Sequence, residues 1–102
     1  MIQQQIKQLA HQYAEELITI RRHLHAYPEL SYQEFETSAF IQKKLSEWNI
    51  SFTTMAGTGV VALLKGKEPN SRIMALRADI DALPIQEENS VPYCSLKDGV
   101  MH

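Results

Sequence analysis

Seven apolar residues, Ile2, Ile6, Leu9, Tyr13, Leu17, Ile20 and Leu24, recur at steps of four or three along the start of the chain. That spacing follows the 3.6-residue period of an α-helix and puts all seven on one face. The positions between them are mostly Gln, Lys, Glu and Arg. A helix from residue 2 to about 26 is predicted, its apolar face buried against a sheet or another helix. Pro28 disfavours helical geometry at Tyr27, so the break falls there. The same stripe is compatible with a coiled-coil seam, though it stops at the proline.

Ser31 and Glu34 have the spacing of a capping box, which predicts a second helix beginning near Ser31. Its apolar side would carry Phe35, Ala39 (or Ser38), Ile41, Leu45 and Trp48, with Asn49 as its C-terminal cap. The hydrophobic period then falls to two. Ile50, Phe52 and Thr54 predict a short strand, "AGTG" a turn, and "VVALLKG" a buried strand. "KEPNS" reads as a second turn around Pro69 and Asn70. "RIMAL", apolar along its length, predicts a third strand covered on both faces. The expected fold class is therefore α/β: two helices, then three strands. "RADIDALP" leaves the end of the last strand, where ligands of α/β sheets gather.

The chain has 102 residues, enough for one domain with a modest core. Its 44% apolar and 22% charged residues mark a globular chain, and a net charge of −2 without a basic patch argues against nucleic acid. The single cysteine, Cys94, cannot form an internal disulfide, which suits a reducing cytoplasm. "MIQQQIKQLA" lacks the apolar region of a signal peptide, and "VVALL" is far too short to span a bilayer. No membrane partner is expected. "KDGVMH" completes neither a helix nor a strand, which leads to the expectation of a piece cut from a larger protein.

The chemistry-bearing residues form no complete catalytic set. Asp79 and Asp81 lie two apart, and on a persisting strand they would share one face. Two such carboxylates repel unless a cation, a proton or hydrogen bonds intervene. Either one of them faces a metal or a metal-bound group, or both accept backbone N–H bonds in a turn before Pro84. His23 and His25 would point about 200° apart on a helix, so "HLH" cannot chelate one metal. His25 near the helix end suits the dipole there, as do Arg21 and Arg22 as a solvated basic terminus. His11 reads as a surface residue, and the surroundings of His102 are not readable. Cys94 has no histidine near it in sequence to activate it.

Four motifs gain meaning from their order. "RRHLHAYPELSYQEFET", "TGVVALLKG", "LRADIDALPIQEE" and "DGVMH" follow one another as in the N-terminal part of the M20 metallopeptidase family. The chain resembles its amidohydrolase branch, which includes hippurate hydrolase, N-acyl-L-amino acid amidohydrolases, N-acetyldiaminopimelate deacetylase and auxin-conjugate hydrolases. The resemblance implies that residues 1–102 are the N-terminal portion of a zinc-peptidase-like catalytic domain. The rest of that domain, and a lid and dimerisation domain, would be absent. In the family, "MH" is followed by Ala-Cys-Gly-His-Asp, whose cysteine and histidine bind metal. Asp81 then matches the active-site aspartate, which orients and charge-balances a metal-ligating histidine. Asp79 matches a position that is a metal-binding histidine in other branches, and it is not assigned as a ligand. No metal ligand is assigned in this chain. The implied reaction is hydrolysis of an N-acyl amino acid by a glutamate base and water shared between two divalent metals. Zinc, manganese, cobalt or nickel would serve. A homodimeric or homotetrameric parent and an inactive fragment are further implications. The competing reading is a small non-catalytic interaction domain that binds its partner through the first helix.

Overall fold

The computed structural model describes residues 1–68 and 70–102. Helix α1 (Ile2–Ala26) and helix α2 (Phe35–Glu47) are followed by strands β1 (Phe52–Met55) and β2 (Gly59–Ala62). The two strands form an antiparallel hairpin in which Phe52 faces Ala62 and Met55 faces Gly59. The α/β class and the order of elements agree with the sequence.

Helix α1 has the expected limits. Tyr27 leaves helical geometry while its N–H still donates to the His23 carbonyl at 3.1 Å, and Pro28 is fully buried. Burial of its stripe departs from expectation. No α1 residue is buried, and Ile2 is 72% exposed. The remaining described residues cover chiefly the last two turns, where Ile20, Leu24, His25 and Ala26 are half-buried.

Helix α2 starts later than the capping box predicts. Tyr32 takes a left-handed φ of 63°, and the Gln33 N–H closes a turn onto the Leu30 carbonyl at 2.9 Å. That turn removes Ser31 from the capping position. The cap comes from Glu29, whose carboxylate accepts the N–H groups of Glu36 at 3.2 Å and Thr37 at 2.6 Å. These are orphan donors of the first turn, and a negative charge there also opposes the helix dipole. Glu34 instead accepts the Tyr32 N–H at 2.8 Å and the Thr58 hydroxyl at 2.5 Å, which ties the turn to the hairpin. At the other end Asn49 does what the sequence predicts. It adopts φ 56°, its N–H donates to Ser46, and the Ile50 N–H donates to Leu45. This is the paired hydrogen-bond pattern of a Schellman motif. The inward face of α2 is Thr37, Ser38, Ile41 and Leu45, while Phe35 stands 65% exposed.

The hairpin turn falls on "AGTG", with Ala56 and Gly57 both left-handed at φ 54° and 82°. Strand β2 stops at Ala62, and Leu63 and Leu64 are exposed rather than buried. The predicted third strand does not form. Ile73, Met74 and Leu76 are exposed, the last 96% so, and nothing among the described residues pairs with them. A strand needs a neighbour for its backbone groups and a layer for its side chains, and "RIMAL" meets neither. Of the second predicted turn, Pro69 lies outside the described residues. Beside it, the Ser71 N–H and hydroxyl donate to the Glu68 carbonyl at 3.1 and 2.8 Å.

The chain closes on itself at "DIDALP". The Ala82 N–H donates to the Glu29 carbonyl at 2.7 Å, which places Ala82 parallel to Leu30. Leu83 and Met101 exchange both backbone bonds, at 2.8 and 3.1 Å, in antiparallel sense. The small core sits at this junction: Pro28, Ala82 and Val100, with the buried polar residues Glu34, Thr37, Ser38 and Thr58.

The cap assignment separates two substitutions. Glu29→Ala should lower unfolding free energy by about 1 kcal/mol in denaturant titration. Ser31→Ala, at the exposed position that the sequence pattern singles out, should change it by less than about 0.5 kcal/mol.

Candidate functional site

Three segments meet at the junction: 28–30 after α1, 81–83, and 100–102. Asp81 is half-buried on the residue before buried Ala82. Asp79 is exposed, and its carboxylate accepts a bond from the Arg77 guanidinium at 3.1 Å on the surface. An exposed pair of this kind contributes little to stability. The two acids therefore do not share one environment, because the segment carrying them is not a paired strand.

His102 follows the Leu83–Met101 pair, which brings it beside Ala82 and Asp81. His102 is exposed overall, yet partial covering of its ring pushes its imidazole pKa down, and the nearby His25 pushes the same way. The charge and backbone of Asp81 oppose both. The His25 and His102 rings stand 6.5 Å apart, centre to centre.

His25 is more than a helix-end cation. Its Nε2 lies 2.9 and 3.0 Å from the two carboxylate oxygens of Glu87, sixty-two residues away. The Tyr93 ring meets the His25 ring edge-on at 6.0 Å, and the Arg22 guanidinium lies 4.5 Å over Tyr93. Arg22 is exposed, as the sequence suggests, and also lies over an aromatic face. His23 turns elsewhere and stacks on Phe40 at 4.3 Å, so "HLH" splits between two sides of the helix as the angular argument requires.

Glu87 was not legible as a functional residue. It is a half-buried residue whose side chain is nearly covered, in the polar run "QEEN", indistinguishable in sequence from exposed Glu88. The Ser95 N–H, the His25 ring and the Asn89 amide hold its carboxyl below the ordinary value of 4.5, in that order of effect. Glu34 is lowered too, first by the Thr58 hydroxyl and then by backbone N–H groups, against the opposing effect of burial.

An open cavity of about 510 Å³ lies beside the junction, lined in part by Leu17, Leu24, His25, Asp79 and His102. Among the described residues no three His, Cys, Asp or Glu side chains come together to hold a metal ion. These residues by themselves do not fit a metal centre. Cys94 is half-buried and unbridged. No described helix is long and apolar enough to cross a membrane.

No protein-family model matches the chain. Individual proteins do. The chain is 55% identical over 89 residues to the N-acetyl-L-cysteine deacetylase of Bacillus subtilis, covering 86% of this chain and 21% of that protein. It is 56% identical over 82 residues to an uncharacterized hydrolase of Staphylococcus aureus, covering 80% of this chain and 21% of that one. Its fold matches a Bacillus subtilis crystal structure, YXEP, described as a dinuclear metal binding peptidase from the M20 family. The TM-score is 0.83 at 47% identity, over 88% of this chain and 26% of that one. A second solved structure, from methicillin resistant Staphylococcus aureus, matches with a TM-score of 0.88 at 36% identity, over 100% of this chain and 27% of that one. The chain thus spans about a quarter of the length of these relatives.

The lowered carboxyls fix the sign of an acid effect. Each group contributes stability above its unfolded pKa, near 4.5, and loses it as pH falls through its lower folded value. The denaturation midpoint should therefore fall on acidification below about 4.5. Glu87→Gln should flatten that fall, measured by denaturant titration at a series of pH values.

Proposed function

This chain matches, in sequence and in fold, the N-terminal quarter of the M20 family of metal-binding peptidases and amidohydrolases, and on that premise we propose that the longer protein hydrolyses the amide bond of N-acyl amino acids. Residues 1–102 form the first part of its catalytic domain. The observation that supports the reading is the surroundings of Asp81. Of the two acids it is the less exposed, next to buried Ala82 and close enough to His102 to affect its imidazole.

Asp81 is the active-site acid in this reading. Its carboxylate orients a metal-ligating histidine and balances charge behind it. The substrate class is supported by the relative named as a deacetylase of N-acetyl-L-cysteine. Two divalent ions are supported by the relative described as dinuclear, and they are held by residues outside these 102. In this reading the chain alone is inactive, because the metal ligands lie in the part of the protein that follows. A cytoplasmic homodimer or homotetramer completes the proposal.

One observation favours a second reading. The exposed stripe of α1 is a surface that an interaction domain would use. In that case Leu17→Glu abolishes self-association of the chain, seen by sedimentation, and leaves the fold intact.

The hydrolase reading is tested on protein made from the complete reading frame. It should release acetate from N-acetyl-L-cysteine and lose that activity to a chelator. Asp81→Asn should keep the fold and reduce turnover by about 10–100-fold. Near-wild-type turnover of Asp81→Asn would return Asp81 to a turn-forming role, and turnover by residues 1–102 alone would contradict the assignment of roles.

A further inference from the structure

Glu87 gathers donors from three separate places. Its side chain is only 3% exposed, against 14% for His25. The His25 Nε2 reaches it at 2.9 Å, the Ser95 backbone N–H at 2.6 Å and the Asn89 amide at 3.1 Å. A buried carboxylate is costly unless its oxygens are satisfied, and here they are. The arrangement is a built socket for one charged side chain.

The hydrogen bonds that begin at this socket run toward His102. Ser95, held by Glu87 through its N–H, donates its hydroxyl to the Val100 carbonyl at 2.6 Å and accepts the Lys97 N–H at 3.1 Å. The Leu96 N–H donates to the Ala26 carbonyl at 2.9 Å, satisfying an end group of α1. Gly99, left-handed at φ 75°, donates its N–H to the Gln86 side chain at 2.6 Å. Val100 is then buried, Met101 pairs with Leu83, and His102 comes to rest beside Asp81 with its ring 6.5 Å from that of His25.

We propose that Glu87 and His25 are positioning residues, whose buried pair sets the turn 95–101 and so fixes where the His102 imidazole stands relative to Asp81. They act through the turn. The inference rests on the reading of Asp81 and its surroundings as the edge of the hydrolytic site.

The chain contains four histidines, His11, His23, His25 and His102, which makes selective isotope labelling tractable. In Glu87→Ala and in His25→Gln the ring signals of His102 should shift or broaden. Those of His11, on the exposed outer part of α1, should stay in place. Glu87→Gln keeps an oxygen for the Ser95 N–H and should return the His102 signals toward the wild-type positions. In protein from the complete reading frame, Glu87→Ala should lower kcat about 10–100-fold. KM should stay within about twofold, and Glu87→Gln should recover most of the loss. His102 signals unmoved in both folded variants would overturn the proposal, as would an unchanged kcat in Glu87→Ala. Should Glu87→Ala fail to fold, His25→Gln decides by the same signals. Absence of hydrolysis in the wild type would count against the functional reading alone, because the His102 signals judge the positioning pair without turnover.

Discussion

Glu29 holds three parts of the chain together. It follows the fully buried Pro28, which ends α1. Its carbonyl accepts the Ala82 N–H, and its carboxylate accepts two N–H groups at the start of α2. One residue thus fixes the exit of the first helix, the start of the second and the position of "DIDALP". The place of Ala82, next to Asp81, depends on that arrangement. The apolar core is too small to impose it, since Pro28, Ala82 and Val100 are nearly all of it. Directional hydrogen bonds to carboxylates carry the organisation instead, at half-buried Glu29, buried Glu34 and Glu87, whose side chain is 3% exposed.

These carboxylates share a design. Each accepts from at least one backbone N–H, and each links segments far apart in sequence or direction. Glu34 joins the turn before α2 to the hairpin through Thr58, and Glu87 joins the end of α1 to the turn 95–101 through His25 and Ser95. Such bonds are strong because the acceptor is charged, and they fix geometry more sharply than apolar contact does. A site edge built this way is precise while the surface around it remains open.

What the sequence discloses follows from where each signal originates. The limits of α1 were legible because a 3.6-residue period and Pro28 are local facts. Asn49 was legible for the same reason, as a residue that tolerates left-handed geometry. Ser31 misled because the S-x-x-E spacing does not record the turn at Tyr32, nor the fact that Glu29 supplies the acceptor. "RIMAL" misled because an apolar run reads the same whatever covers it, and no described residue does. Asp79 and Asp81 look equivalent at a spacing of two, and only the neighbours tell them apart: Arg77 for one, Ala82 and His102 for the other. The His25–Glu87 pair spans sixty-two residues, with no pattern at either end to announce it. The family resemblance, in contrast, was legible because it rests on several short motifs in order.

The proposed function puts Asp81 and His102 at the edge of a dinuclear metal site completed by chain outside residues 1–102. Elemental analysis of metal bound after dialysis tests it most directly, on protein from the complete reading frame and on residues 1–102 side by side. The claim predicts two divalent ions per chain for the first and none retained by the second. Two ions held tightly by residues 1–102 alone, or none held by the complete protein, would contradict it.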